Sequence, residues 1–223
     1  MPRIARAVVP NVPYHITQRG NHRQDVFISI DDRKRYLETL SQYASRYELD
    51  IAAYCLMSNH IHLVAIPRKS DSMARTIQTV HMRHTQSVNR AMGWSGHLWQ
   101  SRYFSTALDD KYFVQAVRYV EQNPVRAGLV RSAVDYPWSS AAFHCGLADR
   151  SDLLHVGEDY KMIFDGWKSI LDEVPDQEMI EILRRRTMTG IPCGDDKFLK
   201  KVSREIGRMI VERKRGGQKK PVK

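Results

Sequence analysis

The stretch that decides the fold is residues 51–66, which read IAAYCLMSNHIHLVAI. An apolar run, Ile51–Met57, is followed by Ser58-Asn59 and then by a second apolar-rich run that starts at His60. Short apolar runs bounded by turn residues are typical of buried strands. The two runs therefore predict a pair of strands joined by a tight turn, although this turn lacks the glycine common in hairpins.

Strand and helix patterns alternate on both sides of this hairpin. The expected elements are a strand over 13–19, helices over 31–47, 72–92 and 111–123, an extended segment over 98–106, and helices over 159–172, 176–188 and 195–212. Pro124 should end the helix over 111–123, because the residue before a proline avoids helical geometry. This order predicts an α+β fold with an antiparallel sheet, followed by a helical C-terminal extension.

Composition and charge narrow the class of protein. The 223 residues suffice for one or two domains, and 42% hydrophobic with 27% charged residues exclude a wholly disordered, collagen-like or rod-like chain. The formal charge of +10 is uneven, with +7 on residues 1–130, −5 on 131–199 and +8 on 200–223. Such an excess indicates a polyanionic partner, most often nucleic acid, although solubility alone also accounts for it. The basic end, 213–223, is expected to be a flexible tail.

Targeting and disulfide signals are weak in this sequence. The longest apolar run has seven residues, too few to span a bilayer, and the basic N-terminus lacks the apolar region of a signal peptide. The three cysteines show no CxxC spacing, so neither a disulfide framework nor a zinc site is indicated. We therefore expect a cytoplasmic, nucleoid-associated protein with no membrane partner.

The sequence His60-Ile61-His62 is the first candidate for chemistry. On a strand, residues two apart project from the same face, so both imidazoles lie about 7 Å apart along the chain. Neutral imidazoles at this spacing can converge on one divalent cation. Taken alone, the pattern is more often explained by two polar side chains on a solvent-facing side of a sheet.

The helix over 111–123 adds a second candidate. Tyr119 and Asn123 are four residues apart and therefore point the same way, one turn from each other at the end of a helix. A phenol and an amide so placed can supply a nucleophile and an oxygen ligand for a metal. A half-buried tyrosine, with Asn123 as the helix stop, is the structural alternative.

A further histidine pair lies within the expected helix over 72–92. His81 and His84 are about one turn apart, a spacing that allows a metal site. A solvated or DNA-facing patch is the more frequent explanation of such a pair. We therefore predict that His81 and His84 form such a patch.

Five motifs, in order along the chain, resemble those of the single-tyrosine transposases of the HUH nuclease superfamily. They are YHITQRGN (14–21), NHIH (59–62), LWQSRY (98–103), RYVEQNPV (118–125) and YPWSS (136–140). "HUH" denotes two histidines around a hydrophobic residue. The long C-terminal extension most resembles the REP-associated tyrosine transposase branch of this family. Rolling-circle replication initiators and relaxases are related alternatives, which usually show a different motif order.

The resemblance implies a ferredoxin-like or RRM-like fold, with helices on one face of an antiparallel sheet and the HUH strand at its centre. It divides the chain into a nuclease domain (1–145), a helical extension (146–212) and the basic tail (213–223). Tyr119 is implied as the nucleophile, with His60, His62 and Asn123 as ligands of Mg²⁺ or Mn²⁺. Better-known short members often carry glutamine at the position of Asn123. His15 either supports the metal ligands or has a structural role.

The implied activity is metal-dependent cleavage and rejoining of single-stranded DNA, at hairpin-forming repeats, through a 5′-phosphotyrosine. A catalytically silent nucleic-acid-binding regulator is the alternative of a different class. The longer chain favours a monomer over a homodimer. The residues expected to contact DNA are Arg19, Arg102, Arg118, Arg213, Lys214 and Arg215.

Overall fold

The computed structural model describes residues 8–149, 152–155, 160 and 162–207. The strands are β1 (Tyr14–Arg19), β2 (Leu49–Leu56), β3 (His60–Pro67) and β4 (Phe104–Ala107). The helices are α1 (Ile30–Arg46), α2 (Ser72–Met92), α3 (Asp110–Glu121), α4 (Asn123–Arg126), α5 (Ala141–His144), α6 (Trp167–Asp172), α7 (Gln177–Thr189) and α8 (Asp196–Glu205). Among these described helices, none is both long and apolar enough to cross a membrane.

The four strands form one antiparallel sheet in the order β2-β3-β1-β4. The predicted hairpin is present, and its second strand, β3, lies inside the sheet between β2 and β1. In the register of β1 and β3, Arg19 pairs with His60 and Thr17 pairs with His62. The expected α+β fold, with a ferredoxin-like antiparallel sheet and the histidine-bearing strand at its centre, is confirmed.

Helices α1 and α2 cover one face of the sheet. The first turn of α1 is fixed by a capping box, in which the Ser29 hydroxyl accepts from the backbone N–H of Asp32 and the Asp32 carboxylate accepts from the backbone N–H of Ser29. Beneath these helices, Ile16, Ile61 and Leu63 are fully buried in one apolar cluster. The odd-numbered residues of β3 therefore anchor the strand to this layer.

The two histidines of α2 belong to this buried layer. His81 Nε2 lies 2.9 Å from the Tyr36 hydroxyl, and the His81 and Trp99 ring centres are 4.1 Å apart. His84 Nε2 lies 2.7 Å from the backbone oxygen of Val26. Burial lowers the pKa of His81 to about 3. The expectation of a solvated pair is wrong, because both side chains are buried and have hydrogen-bond partners. His81 also lines a cavity of about 910 Å³ beside α2.

The opposite face of the sheet is also covered. Helix α3 packs on β2 and β3, and α7 packs on β4 and α3. Cys55, Val64 and Phe113 are fully buried in this second apolar cluster. Helices were expected on one face of the sheet, whereas they cover both faces. The second layer forms because the continuous apolar run of β2 leaves apolar surface to bury on both of its faces.

A buried carboxylate joins α3 to the segments that follow it. Glu121 is fully buried, and its Oε1 accepts hydrogen bonds from the Ser140 hydroxyl and from His144 Nδ1. Its Oε2 accepts a hydrogen bond of 2.6 Å from the indole N–H of Trp167. Since each buried donor would otherwise lack a partner, this carboxylate fixes α5 and α6 against the end of α3.

We predict that Trp167→Phe lowers the free energy of unfolding by about 1–3 kcal/mol, because the ring still packs while Glu121 loses one of its donors. The matched control is Trp94→Phe at an exposed tryptophan, expected to change stability by less than about 0.5 kcal/mol. Urea denaturation followed by circular dichroism measures both. Equal effects of the two substitutions would contradict the role assigned to the buried carboxylate.

Candidate active site

A cavity of about 290 Å³ opens on the α3 side of the sheet. It is lined by His15, Thr17 and Arg19 of β1, His60 and His62 of β3, Tyr119 and Asn123, and Arg184, Thr187 and Met188 of α7. The strand alternation that buries Ile61 in the first apolar cluster turns both flanking histidines towards this cavity. The structure therefore brings together the two histidines, the tyrosine and the asparagine that the sequence predicts.

The His60 ring is held through its Nδ1 atom. This nitrogen lies 2.6 Å from Asn59 Oδ1, and the Asn59 amide in turn donates to the backbone oxygen of Arg23. An amide oxygen only accepts, so Nδ1 of His60 carries the proton and Nε2 keeps a lone pair in the neutral ring. Burial, reinforced by the nearby Arg19 charge, lowers the pKa of His60 to about 4. His60 is consequently a neutral imidazole at pH 7.

The His62 ring is buried more deeply. Its Nδ1 lies 2.9 Å from Nε2 of His15, and the two ring planes are within 5° of parallel. Burial, followed by the neighbouring His15 and His60, holds the pKa of His62 well below its usual value. Neutral imidazole is the form that binds a metal ion, so the environment of His62 suits a ligand.

Asn123 lies at the junction of two helices. Helix α3 ends at Glu121 and α4 begins at Asn123, with Pro124 in its first turn, where a missing N–H disrupts no helical hydrogen bond. The predicted stop is thus followed directly by another helical turn. The Asn123 amide donates to the backbone oxygen of Tyr119 over 3.3 Å, which leaves Oδ1 as an acceptor within the cavity lining.

These three side chains fit a hard divalent cation by their chemistry. Two imidazole nitrogens and one amide oxygen can bind Mg²⁺ or Mn²⁺ while leaving positions for substrate oxygens and water. The described part of the chain contains no group of three His, Cys, Asp or Glu side chains placed to hold a metal ion. A metal here would therefore depend on neutral ligands and on Asn123 as the third of them.

Tyr119 meets the histidines edge to face. Its ring centre is 5.5 Å from that of His62 and 5.7 Å from that of His15, with interplanar angles of 86° and 85°. Arg184 Nε donates a hydrogen bond of 3.2 Å to the phenolic oxygen. The Arg126 guanidinium lies 4.2 Å from the centre of the ring and donates to the backbone oxygen of Tyr119. The phenol is thus bracketed by two positive charges.

Sequence reasoning missed the contributions of α7 to this cavity. Arg184 and Thr187 lie in the segment assigned to a helical C-terminal extension, for which the sequence analysis named no site residue. One signal was present: the buried stripe of α7 continues from Ile180 and Leu183 to Thr187, so a hydroxyl occupies the next inward-facing position. A polar group in a buried stripe requires a partner.

The arginines expected to contact DNA are placed differently from one another. Arg19 lines the cavity of the histidines, whereas Arg102 lines a larger cavity of about 910 Å³ beside α2. Arg118 is only 4% exposed, and it binds the backbone oxygen of Glu173 and faces its carboxylate at 3.8 Å, which does not support a role in DNA contact. Arg213, Lys214 and Arg215 of the tail lie outside the described residues.

Comparison with known proteins gives a consistent picture. The family model described as "Transposase IS200 like" matches residues 8–123. A Haemophilus influenzae protein named as a REP-associated tyrosine transposase is 29% identical over 114 residues, or 46% of this chain. The match spans 64% of that protein, less than two thirds of its length.

One solved structure agrees with the fold of this chain. The structure of a REP-associated tyrosine transposase bound to a REP hairpin matches with a TM-score of 0.56 at 17% identity, over 70% of this chain and 99% of that one. A chain from Deinococcus radiodurans, also named as a transposase, has a TM-score of 0.37 at 19% identity, over 54% of this chain and 97% of its own length. The resemblance carried by the five sequence motifs is confirmed.

Proposed function

The chain belongs to the family of IS200-like transposases, and on this premise we propose that it cleaves and rejoins single-stranded DNA through Tyr119. The observation that carries the proposal is the position of this phenol, whose ring lies against His62 in a cavity also lined by His60 and Asn123. All four side chains come from one chain, which favours a site completed within a monomer.

His60, His62 and Asn123 would hold the Mg²⁺ or Mn²⁺ ion. The neutral rings keep Nε2 as a ligand atom, because Nδ1 of each ring is engaged with Asn59 or His15. Bound there, the ion would polarise a phosphodiester and stabilise negative charge on its non-bridging oxygens. The protein itself supplies the nucleophile and its orientation.

In the proposed reaction, the Tyr119 oxygen attacks phosphorus and the bond from phosphorus to the 3′ oxygen breaks. The phenolic proton is lost and the 3′ oxygen gains one, so that the products are a 5′-phosphotyrosine and a free 3′ hydroxyl. Because the phosphoester is conserved, attack by a 3′ hydroxyl on the phosphotyrosine rejoins DNA without a nucleotide cofactor.

Arg184 acts on the same phenolic oxygen. A hydrogen bond from a guanidinium becomes stronger as its acceptor gains negative charge. The Arg184 contact of 3.2 Å therefore orients the phenolic oxygen and would stabilise the negative charge that this oxygen carries in the transition states of cleavage and rejoining.

We assign hairpin-forming DNA as the partner class. A protein of similar fold is bound to a REP hairpin, and Arg19 and Arg184 supply positive charge at the cavity of this chain. Both are exposed side chains able to meet a phosphate backbone. Single-stranded DNA beside a hairpin would present the phosphodiester to Tyr119 without the need to open a duplex.

We predict that Tyr119→Phe abolishes covalent adduct formation while DNA binding stays within about 3-fold of wild type, because only the attacking oxygen is removed. The assay incubates the protein and Mn²⁺ with labelled single-stranded hairpin oligonucleotides and maps the adduct by mass spectrometry. The control is Tyr112→Phe, the same change in α3 outside the cavity. A wild-type protein that binds the hairpin but forms no adduct would instead be a silent regulator.

We predict that a chelator stops cleavage and that added Mg²⁺ or Mn²⁺ restores it. His60→Ala should lose the adduct and bind Mn²⁺ at least about 10-fold more weakly by calorimetry, because one of three ligands is gone. His97→Ala, at an exposed histidine outside the cavity, is the matched control. Undiminished cleavage in EDTA would refute the metal requirement.

We predict that Arg184→Gln slows adduct formation by about 10-fold to 100-fold at saturating DNA, because a charge-assisted hydrogen bond to the nucleophile is lost. Arg185→Gln removes the same charge from the next residue of α7 and should leave this rate nearly unchanged. Single-turnover kinetics separate the rate from binding. If the two variants slow adduct formation alike, Arg184 contributes only general positive charge.

A further inference from the structure

We propose that Thr187 of α7 positions the metal ligand His62 through His15, by fixing which nitrogen of each ring carries the proton. The inference rests on the proposed function in that His62 is taken to be a ligand. It assigns to Thr187 a positioning role, and it makes the C-terminal helix a structural part of the metal site.

Two hydrogen bonds connect the helix to the ligand, and a third, within the helix, fixes the hydroxyl of Thr187. His62 Nδ1 lies 2.9 Å from His15 Nε2, and His15 Nδ1 lies 2.8 Å from the Thr187 hydroxyl. That hydroxyl donates a bond of 2.7 Å to the backbone oxygen of Leu183, one turn earlier in α7. His15 and Thr187 are each 1% exposed and His62 is 6% exposed, so little water can compete along this path.

The donor and the acceptor of each hydrogen bond in this path follow from its end at the backbone oxygen of Leu183. A carbonyl oxygen only accepts, so the single hydroxyl hydrogen of Thr187 points to Leu183. The hydroxyl oxygen must then accept from Nδ1–H of His15. A neutral ring has one N–H, and Nε2 of His15 is therefore an acceptor.

The position of the proton on His62 follows from that on His15. Nε2 of His15 accepts from Nδ1–H of His62, and neutral His62 consequently keeps its lone pair on Nε2. Within the described residues, no hydrogen bond occupies Nε2 of His62, which lines the cavity together with His60. If every donor and acceptor were exchanged, the Thr187 hydroxyl would donate to His15 and lose its hydrogen bond to Leu183. The proton of His62 would then be on Nε2.

This arrangement differs from that of the other ligand. The tautomer of His60 is set locally, by Asn59 on the preceding turn. The tautomer of His62 is set by a residue 125 positions later in the chain, on a helix that packs on β4 and β1. The metal site thus depends on the docking of α7, which the metal ligands themselves do not reveal.

The test compares Thr187→Val with Thr189→Val. Both substitutions replace a threonine hydroxyl by a methyl in α7, but the Thr189 hydroxyl is exposed and bonds only backbone oxygens of its own helix. Thr187→Ser retains the hydroxyl and is the rescue variant. Nitrogen-15 NMR of the metal-free proteins reads the tautomers of His15 and His62, and calorimetry gives the affinity for Mn²⁺.

We expect wild type, Thr189→Val and Thr187→Ser to show Nδ1–H on both rings and similar Mn²⁺ affinity. Thr187→Val should populate the other tautomer of His15 and His62 and should bind Mn²⁺ about 10-fold more weakly, as is typical when a group that orients a metal ligand is lost. Unchanged tautomers and affinity in Thr187→Val would overturn the proposal, and so would Nε2–H on His62 of the wild type.

The two proposals fail in different ways. The tautomers are read without metal, so they decide the hydrogen-bond path even if the wild type binds no Mn²⁺, a result that would refute the metal site itself. Conversely, tight Mn²⁺ binding by Thr187→Val would leave the proposed function intact and remove only the role of Thr187.

Discussion

The alternation of strand β3 is the constraint on which the rest of the structure depends. Ile61 and Leu63 are fully buried on one face, and the pleat therefore turns His60 and His62 to the other. A shift of register by one residue would exchange the two sets and bury the histidines in the apolar cluster on the first face. With β3 held between β2 and β1, the groups that approach the two imidazoles come from the neighbouring strand β1 or from elements that cover the second face.

Cover of that face is shared among segments far apart in sequence. Helix α3 brings Tyr119, and the buried carboxylate of Glu121 anchors α6 to the end of the same helix. Helix α7 then adds Arg184 and Thr187. The net charge of −5 on residues 131–199 gave no hint that this region would place a cation on the phenolic oxygen of Tyr119. The net charge of a region affects how strongly it attracts a polyanion. The contact of Arg184 with the phenolic oxygen depends instead on how α7 packs against the sheet and α3.

Local patterns therefore sufficed for part of the site. The shared face of His60 and His62 follows from strand periodicity, and the proximity of Tyr119 to Asn123 follows from helical periodicity. The order of strands and helices, and with it the α+β class, was also predicted from local patterns. The expectations that failed, and the contacts that were missed, depend on tertiary structure. His81 was expected at the surface but is buried beside Trp99. The hydrogen-bond partner of His15 is the hydroxyl of Thr187, far along the chain. Spacing records which side chains share a face, but it does not record which element will pack against that face.

The charge of the cavity has a consequence for the proposed chemistry. No carboxylate is among the described residues that line it, whereas Arg19 and Arg184 are. A divalent cation held by neutral ligands beside two guanidinium groups meets unfavourable electrostatics until an anion enters. The phosphate of the DNA strand would supply that anion and would interact favourably with all three cations. Binding of metal and of DNA should then favour each other, and by thermodynamic linkage each must strengthen the other by the same factor. A site of this composition would bind its metal most firmly when the phosphodiester to be cleaved is already in place.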